Sequence, residues 1–163
     1  MSIGDFQFLE NSGGSKIPGA LKYAVASGTT ASIKAGEPVE KLAGAAYAKL
    51  AVTNFPTATE RVVGIAVSAS NETASADGTV DVVPVTNGLI LMGNPDVAST
   101  WNTQAKYNAL VGSRVLIKLA TGVFTVLASD GAGNGCIVEY LDISKYPGKV
   151  AFSFSPLCDY RNV

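Results

Sequence analysis

A chain of 163 residues with 47% hydrophobic and 15% charged residues and a net charge of −1 suits a single domain, which at this size buries roughly 70% of its unfolded surface without disulfides or metal. The balance of 12 Lys and Arg against 13 Asp and Glu provides no field for nucleic acid, an anionic membrane or a charged substrate. The absence of histidine excludes Ser-His-Asp and Cys-His nucleophiles, imidazole bases and His-containing zinc sites.

The charged fraction lies well below the usual value of about 25%, too little to cover a freely diffusing particle. The composition therefore predicts a member of an oligomer or lattice, with a small, neutral, Ala- and Gly-rich monomer as the alternative. The N-terminus lacks a basic n-region and an apolar h-region, so nothing in it directs the chain to a secretory pathway. Within the first ten residues, Ile3, Phe6, Phe8 and Leu9 form an apolar arm, and Asn11-Ser-Gly-Gly-Ser15 follows as a Gly/Ser hinge. The arm could dock on a neighbouring subunit as an added strand or complete the chain's own barrel. Residues 1–15 are thus expected as arm and hinge, and 16–163 as one β-rich domain with no internal repeat.

Ile17-Pro-Gly19 and Ala35-Gly-Glu-Pro-Val39 carry turn chemistry. Between Glu40 and Val52 the Ala-rich stretch suits a helix by propensity, but Ala46, Ala48, Leu50 and Val52 alternate, and a strand is expected. Val63, Ile65, Val67 and Ala69 define one face of the next strand. Its opposite face of Val62, Gly64, Ala66 and Ser68 is small enough for another backbone to approach. Asn71 to Gly78 is polar and ends in the tight-turn pair Asp77-Gly78. Thr79 to Thr86 reads as a strand whose Pro84 belongs at an edge or bulge, and Leu89 to Met92 continues the apolar path.

One helix is expected, Thr100 to Leu110, with Ser99 or Thr100 as cap and Gly112 at its left-handed end. Val115, Ile117 and Leu119 then pair with Val123 to Ala128 across Thr121-Gly122 in a hairpin. Gly131 to Gly135 is a loop and Cys136 to Ile143 a strand. After the Tyr146-Pro-Gly-Lys149 turn, Val150, Phe152 and Phe154 form an apolar face opposite Ala151, Ser153 and Ser155. The fold class is mainly β: a small β-barrel or sandwich with one short helix and an extended N-terminal arm. No run approaches the ~18 apolar residues of a membrane helix, because Lys49, Gly64 and Asp81 interrupt the most hydrophobic stretches.

Residues that could carry chemistry do not assemble into a pattern. Gly131, Gly133 and Gly135 lead into a β-branched strand rather than a helix, so they do not read as a phosphate cradle. Glu37 with Glu40, Asp77 with Asp81 and Glu139 with Asp142 are sequence neighbours of the kind that line solvated faces, not carboxylates held across a cleft. Tyr23, Tyr47, Phe55, Tyr107, Tyr140 and Tyr146 lack the interleaved Lys and Arg of a single-strand binding groove, and Trp101 reads as a packing anchor at the helix start. Cys136 and Cys158 match no zinc or redox spacing and read as reduced, buried small hydrophobes. No catalytic residue, cofactor or metal is expected.

Three segments, Ala35-Gly-Glu-Pro-Val39, Ala58-Thr-Glu-Arg-Val-Val-Gly-Ile-Ala66 and Ala76-Asp-Gly-Thr-Val-Asp-Val82, resemble the capsid decoration (cement) proteins of tailed bacteriophages, and Tyr146-Pro-Gly-Lys-Val-Ala-Phe-Ser-Phe-Ser155 adds to the likeness. The resemblance covers roughly residues 33–155. The segment from Gly88 to Gly112 and the tethered N-terminus depart from it. It implies a small β-barrel, a homotrimer on the capsid exterior, the major capsid protein as partner, and a virion protein made in the host cytoplasm. The capsid-facing residues would then be Ile3, Phe6, Phe8 and Leu9. The rival is a carbohydrate- or receptor-binding β-module, which would display exposed aromatics with polar neighbours in one loop set.

Overall fold

Short stretches of β-branched and aromatic residues punctuated by Gly, Pro and Asn favour strands and turns. The computed structural model describes residues 6–11, 19–28, 32–41, 45–51, 62–85, 89–120, 122–128 and 135–155. Its strands are β1 (Gln7–Asn11), β2 (Leu21–Val25), β3 (Pro38–Glu40), β4 (Lys49–Leu50), β5 (Val62–Ala66), β6 (Gly78–Pro84), β7 (Leu89–Pro95), β8 (Arg114–Ala120), β9 (Val123–Leu127), β10 (Cys136–Val138) and β11 (Val150–Phe154), with helix α1 (Gln104–Leu110) between β7 and β8. The fold is mainly β and barrel-like, as the sequence leads one to expect.

The strands form two sheets. The first runs β1-β7-β11-β10-β8-β9 and curls until β9 meets β7 through the parallel pairs Asn94–Thr125 and Pro95–Val126. β1 and β9 thus take successive stretches of β7, with β1 opposite Leu89 to Met92. The second sheet runs β2-β6-β5-β3-β4, and its edges meet at a single bridge between Val25 and Ala48. Pro84, which cannot donate to a ladder, faces Gly64 at a point beyond the reach of β2, whose pairing stops at Val82.

β5 is the wall between two cores, and all five of its residues are buried. Val39 pairs with Gly64 while Glu40 pairs with Val62, leaving Val63 as an extra residue. Such a bulge resets the two-residue alternation. Val62 and Ile65 consequently join the larger core with Leu91, Ile117, Phe124 and Phe152, whereas Val63 and Ala66 join the smaller one with Val25, Ile33, Val39 and Val80. The sequence reading put Val63 and Ile65 on one face, and the bulge separates them. Val67, assigned to that same face, lies past the end of β5 and is exposed. The close approach expected at Gly64 is present: a Cβ there would collide with the Val83 carbonyl oxygen.

The helix begins later than its pattern suggests. Ala98–Thr100 form a 3-10 turn, and the cap is Thr103, whose hydroxyl accepts from the Lys106 N–H at 3.3 Å. Gly112 has the expected left-handed φ of 81°. The expected hairpin is β8–β9, paired from Leu116–Leu127 to Ala120–Val123. β10 stops at Val138, well short of Ile143. Beyond that point the Gln104 side-chain amide takes the place of a neighbouring strand, donating to the Leu141 carbonyl at 3.0 Å and accepting from the Ile143 N–H at 3.1 Å.

Candidate functional site

The resemblance points to Ile3, Phe6, Phe8 and Leu9 as the capsid-facing residues. Of these, Phe6 is the one whose side chain the structure describes. It is 3% exposed and sits in the chain's own larger core, with ring centroids 5.0 Å from Phe152 and 6.1 Å from Phe124, and its N–H donates to the Gly36 carbonyl at 3.0 Å. A glycine faces it: a Cβ at residue 93 would come within 2.6 Å of the Phe6 ring. Phe8 and Leu9 belong to β1, which pairs antiparallel with β7 through Gln7–Met92, Phe8–Leu91, Glu10–Ile90 and Asn11–Leu89; their side chains, like Ile3, lie outside the described residues.

A better-defined surface surrounds α1. The α1 residue Tyr107 is fully buried, and its hydroxyl accepts from the Ala151 N–H at 2.8 Å and donates to the Glu139 carbonyl at 3.0 Å. Burial pushes this phenol up to about 12, with the Ala151 hydrogen bond opposing the rise and the Glu139 charge adding to it. Together with Gln104, this hydroxyl fixes the loop from Glu139 to Lys149. Within the loop, Asp142 accepts from the Ser144 hydroxyl at 2.6 Å and the Ser144 N–H at 3.0 Å, which hold its carboxyl below the usual range. Tyr140, 64% exposed, and Tyr146, 38% exposed, project from this loop, and Val97 and Val111 are exposed on the segments flanking α1. Rigid, amphipathic tyrosines of this kind give contact area at low entropic cost.

A second tie closes one end of the smaller sheet. The Asp77 carboxylate accepts from the Tyr47 hydroxyl at 2.6 Å and the Ser27 N–H at 2.8 Å, joining three loops and lowering its pKa. The other carboxylates are structural as well, in a way the sequence reading did not foresee. Glu37 and Glu40 are buried, not solvated: Glu37 accepts from the Lys34 N–H at 2.7 Å, and Glu40 meets Lys49, its partner across β3–β4, at 2.8 Å. Glu139 accepts from the Ser153 hydroxyl at 2.6 Å. Trp101 is a packing anchor as expected, 2% exposed and edge-on to Tyr107 at 5.6 Å. Cys136 is buried, and Cys158 lies outside the described residues. Among the described residues no three acidic or cysteine side chains are grouped to hold a metal.

No family model, curated protein or solved structure matches the chain.

Proposed function

We propose that the chain is a structural virion protein that binds the outer surface of a capsid and stabilises contacts between major capsid subunits as a homotrimer. One observation carries the reading. The three segments that resemble decoration proteins, dispersed between residues 35 and 82 in sequence, contribute residues to β3, β5 and β6, which lie side by side as the middle of one sheet. The fourth segment ends in β11, the fully buried strand of the other sheet.

The low charge of the chain favours burial of its flanks, and the loop bearing Tyr140 and Tyr146 supplies the aromatic anchors that dominate interface energetics. Bare capsids incubated with the purified chain should take it up and show regular added density over the whole shell in electron micrographs. Uptake should change little between low and high salt, since no charged cluster steers it. Density confined to a tail or spike, or no uptake, would remove the reading.

A second reading has its own support, because Tyr140 and Tyr146 flank the polar Asp142, Ser144 and Lys145 on one loop. That is the arrangement of a carbohydrate- or receptor-binding module. Glycan-array binding that is lost in a Tyr140→Ser variant, without capsid uptake, would favour it.

A further inference from the structure

β1 is out of place in the order of the chain. The next five strands, β2 to β6, all belong to the second sheet, yet β1 belongs to the first, where it covers the stretch of β7 from Leu89 to Met92 that β9 leaves open. This stretch is a slot for one short strand, bounded by β9 where it joins Asn94 and Pro95. The slot is completed by a socket for one aromatic ring: the missing Cβ of Gly93 makes room, and Phe124 and Phe152 form walls around Phe6. From these observations we infer that the slot is a self-recognition site, which accepts residues 6–11 of a second copy of this chain in place of its own.

The argument for that occupant is the fit already present. Backbone pairing, the bulge between Phe8 and Glu10 and the Phe6 ring are satisfied identically whether the strand comes from the same chain or another. What separates the two states is the connection. Residues 12–20 span at most about 30 Å when extended, and a short connection of this kind sets an effective concentration of roughly millimolar. The chain's own strand therefore holds the slot in dilute solution, and exchange takes over when copies are packed at higher local concentration. This inference stands apart from the capsid reading and is tested without a capsid.

The test traps the pairing. Cα partners in an antiparallel ladder lie close enough for a disulfide, and Gln7 faces Met92. In a C158S background, the Q7C and M92C variants are mixed, held at about millimolar concentration, where the two states should compete evenly, then diluted and oxidised. A covalent dimer should form in the mixture and in neither variant alone. Its yield should approach the statistical limit as concentration rises, and fall several-fold at micromolar concentration. The Q7C/M92C double variant should close within one chain when dilute. If it closes while the concentrated mixture yields no dimer, exchange is refuted. If it does not close, the pairing of β1 with β7 is wrong and the inference falls with it. Capture of M92C by a strand of a different protein, with no Q7C adduct, would give the slot to that partner and equally overturn self-recognition.

Discussion

Replacing Tyr107 by Phe removes one oxygen from a fully buried residue and leaves the ring packed against Trp101. The group that suffers is the Ala151 N–H on β11, which donates to that oxygen at 2.8 Å in a residue with no solvent exposure. A buried donor left without its acceptor costs about 1–3 kcal/mol. At about 2 kcal/mol, a chain of this length should lose about 4–8 °C in Tm. The alkaline limb adds an independent signature. The phenol is raised from its ordinary value of 10.0 to about 12, so folding favours the protonated form. Its contribution is complete below pH 10 and is lost as pH rises towards 12, at about 1.4 kcal/mol per pH unit. Urea denaturation of both proteins near pH 7 and again between pH 10 and 12 measures each part. The Phe variant should start less stable and decline less steeply. A variant within about 0.5 kcal/mol of the parent at neutral pH, the range of an inert surface change, would refute the role assigned to the hydroxyl.

Gly93→Ala should unseat Phe6, costing about 1.5–3 kcal/mol of side-chain burial and speeding amide exchange in Gln7–Asn11 while Val150–Phe154 stay protected; unchanged protection in β1 would contradict the socket. Lys49→Ala removes a cation from the buried Glu40 carboxylate but is itself half-exposed, so the loss should be about 1–2 kcal/mol after allowance for solvent screening, read from the denaturation midpoint. Tyr140→Ser combined with Tyr146→Ser should leave Tm within about 1 °C, as exposed changes do, while weakening capsid uptake at least tenfold; unchanged uptake would move the contact surface elsewhere.

The parts of the fold legible in the sequence are those governed by near neighbours. The β8–β9 hairpin follows from alternation on both sides of Thr121-Gly122, and the close approach at Gly64 follows from the small residues around it. The helix stop at Gly112 is equally local. Three features were not legible because they depend on distant partners. The bulge at Val63 is set by pairing with β3, and it splits Val63 from Ile65 although their spacing puts them on one face. Glu40 looks like a solvated carboxylate until β4 brings Lys49 across to it, and Glu37 until its segment pairs with Ala66 and is buried. β2 was missed altogether, although Leu21, Tyr23 and Val25 alternate; its outward residues are exposed and only Val25 is buried, so its apolar signal is weak. Of the candidate site, Phe6 stands out in the sequence as an apolar residue of the arm, but its socket is drawn from β7, β9 and β11, which no local pattern announces. The exposure of Tyr140 was hidden by the expectation that the strand would continue to Ile143. Gln104, which ends that strand, gives no local sign of doing so.

The walls of the Phe6 socket also fix an order of events. Gly93, Phe124 and Phe152 stand on three different strands, β7, β9 and β11, each far from Phe6 along the chain. The socket exists only once those strands have met, and the long loops between them and Phe6 must close before the ring is rewarded with contacts. Phe6 should therefore be seated late in folding, after the sheet that receives it has assembled.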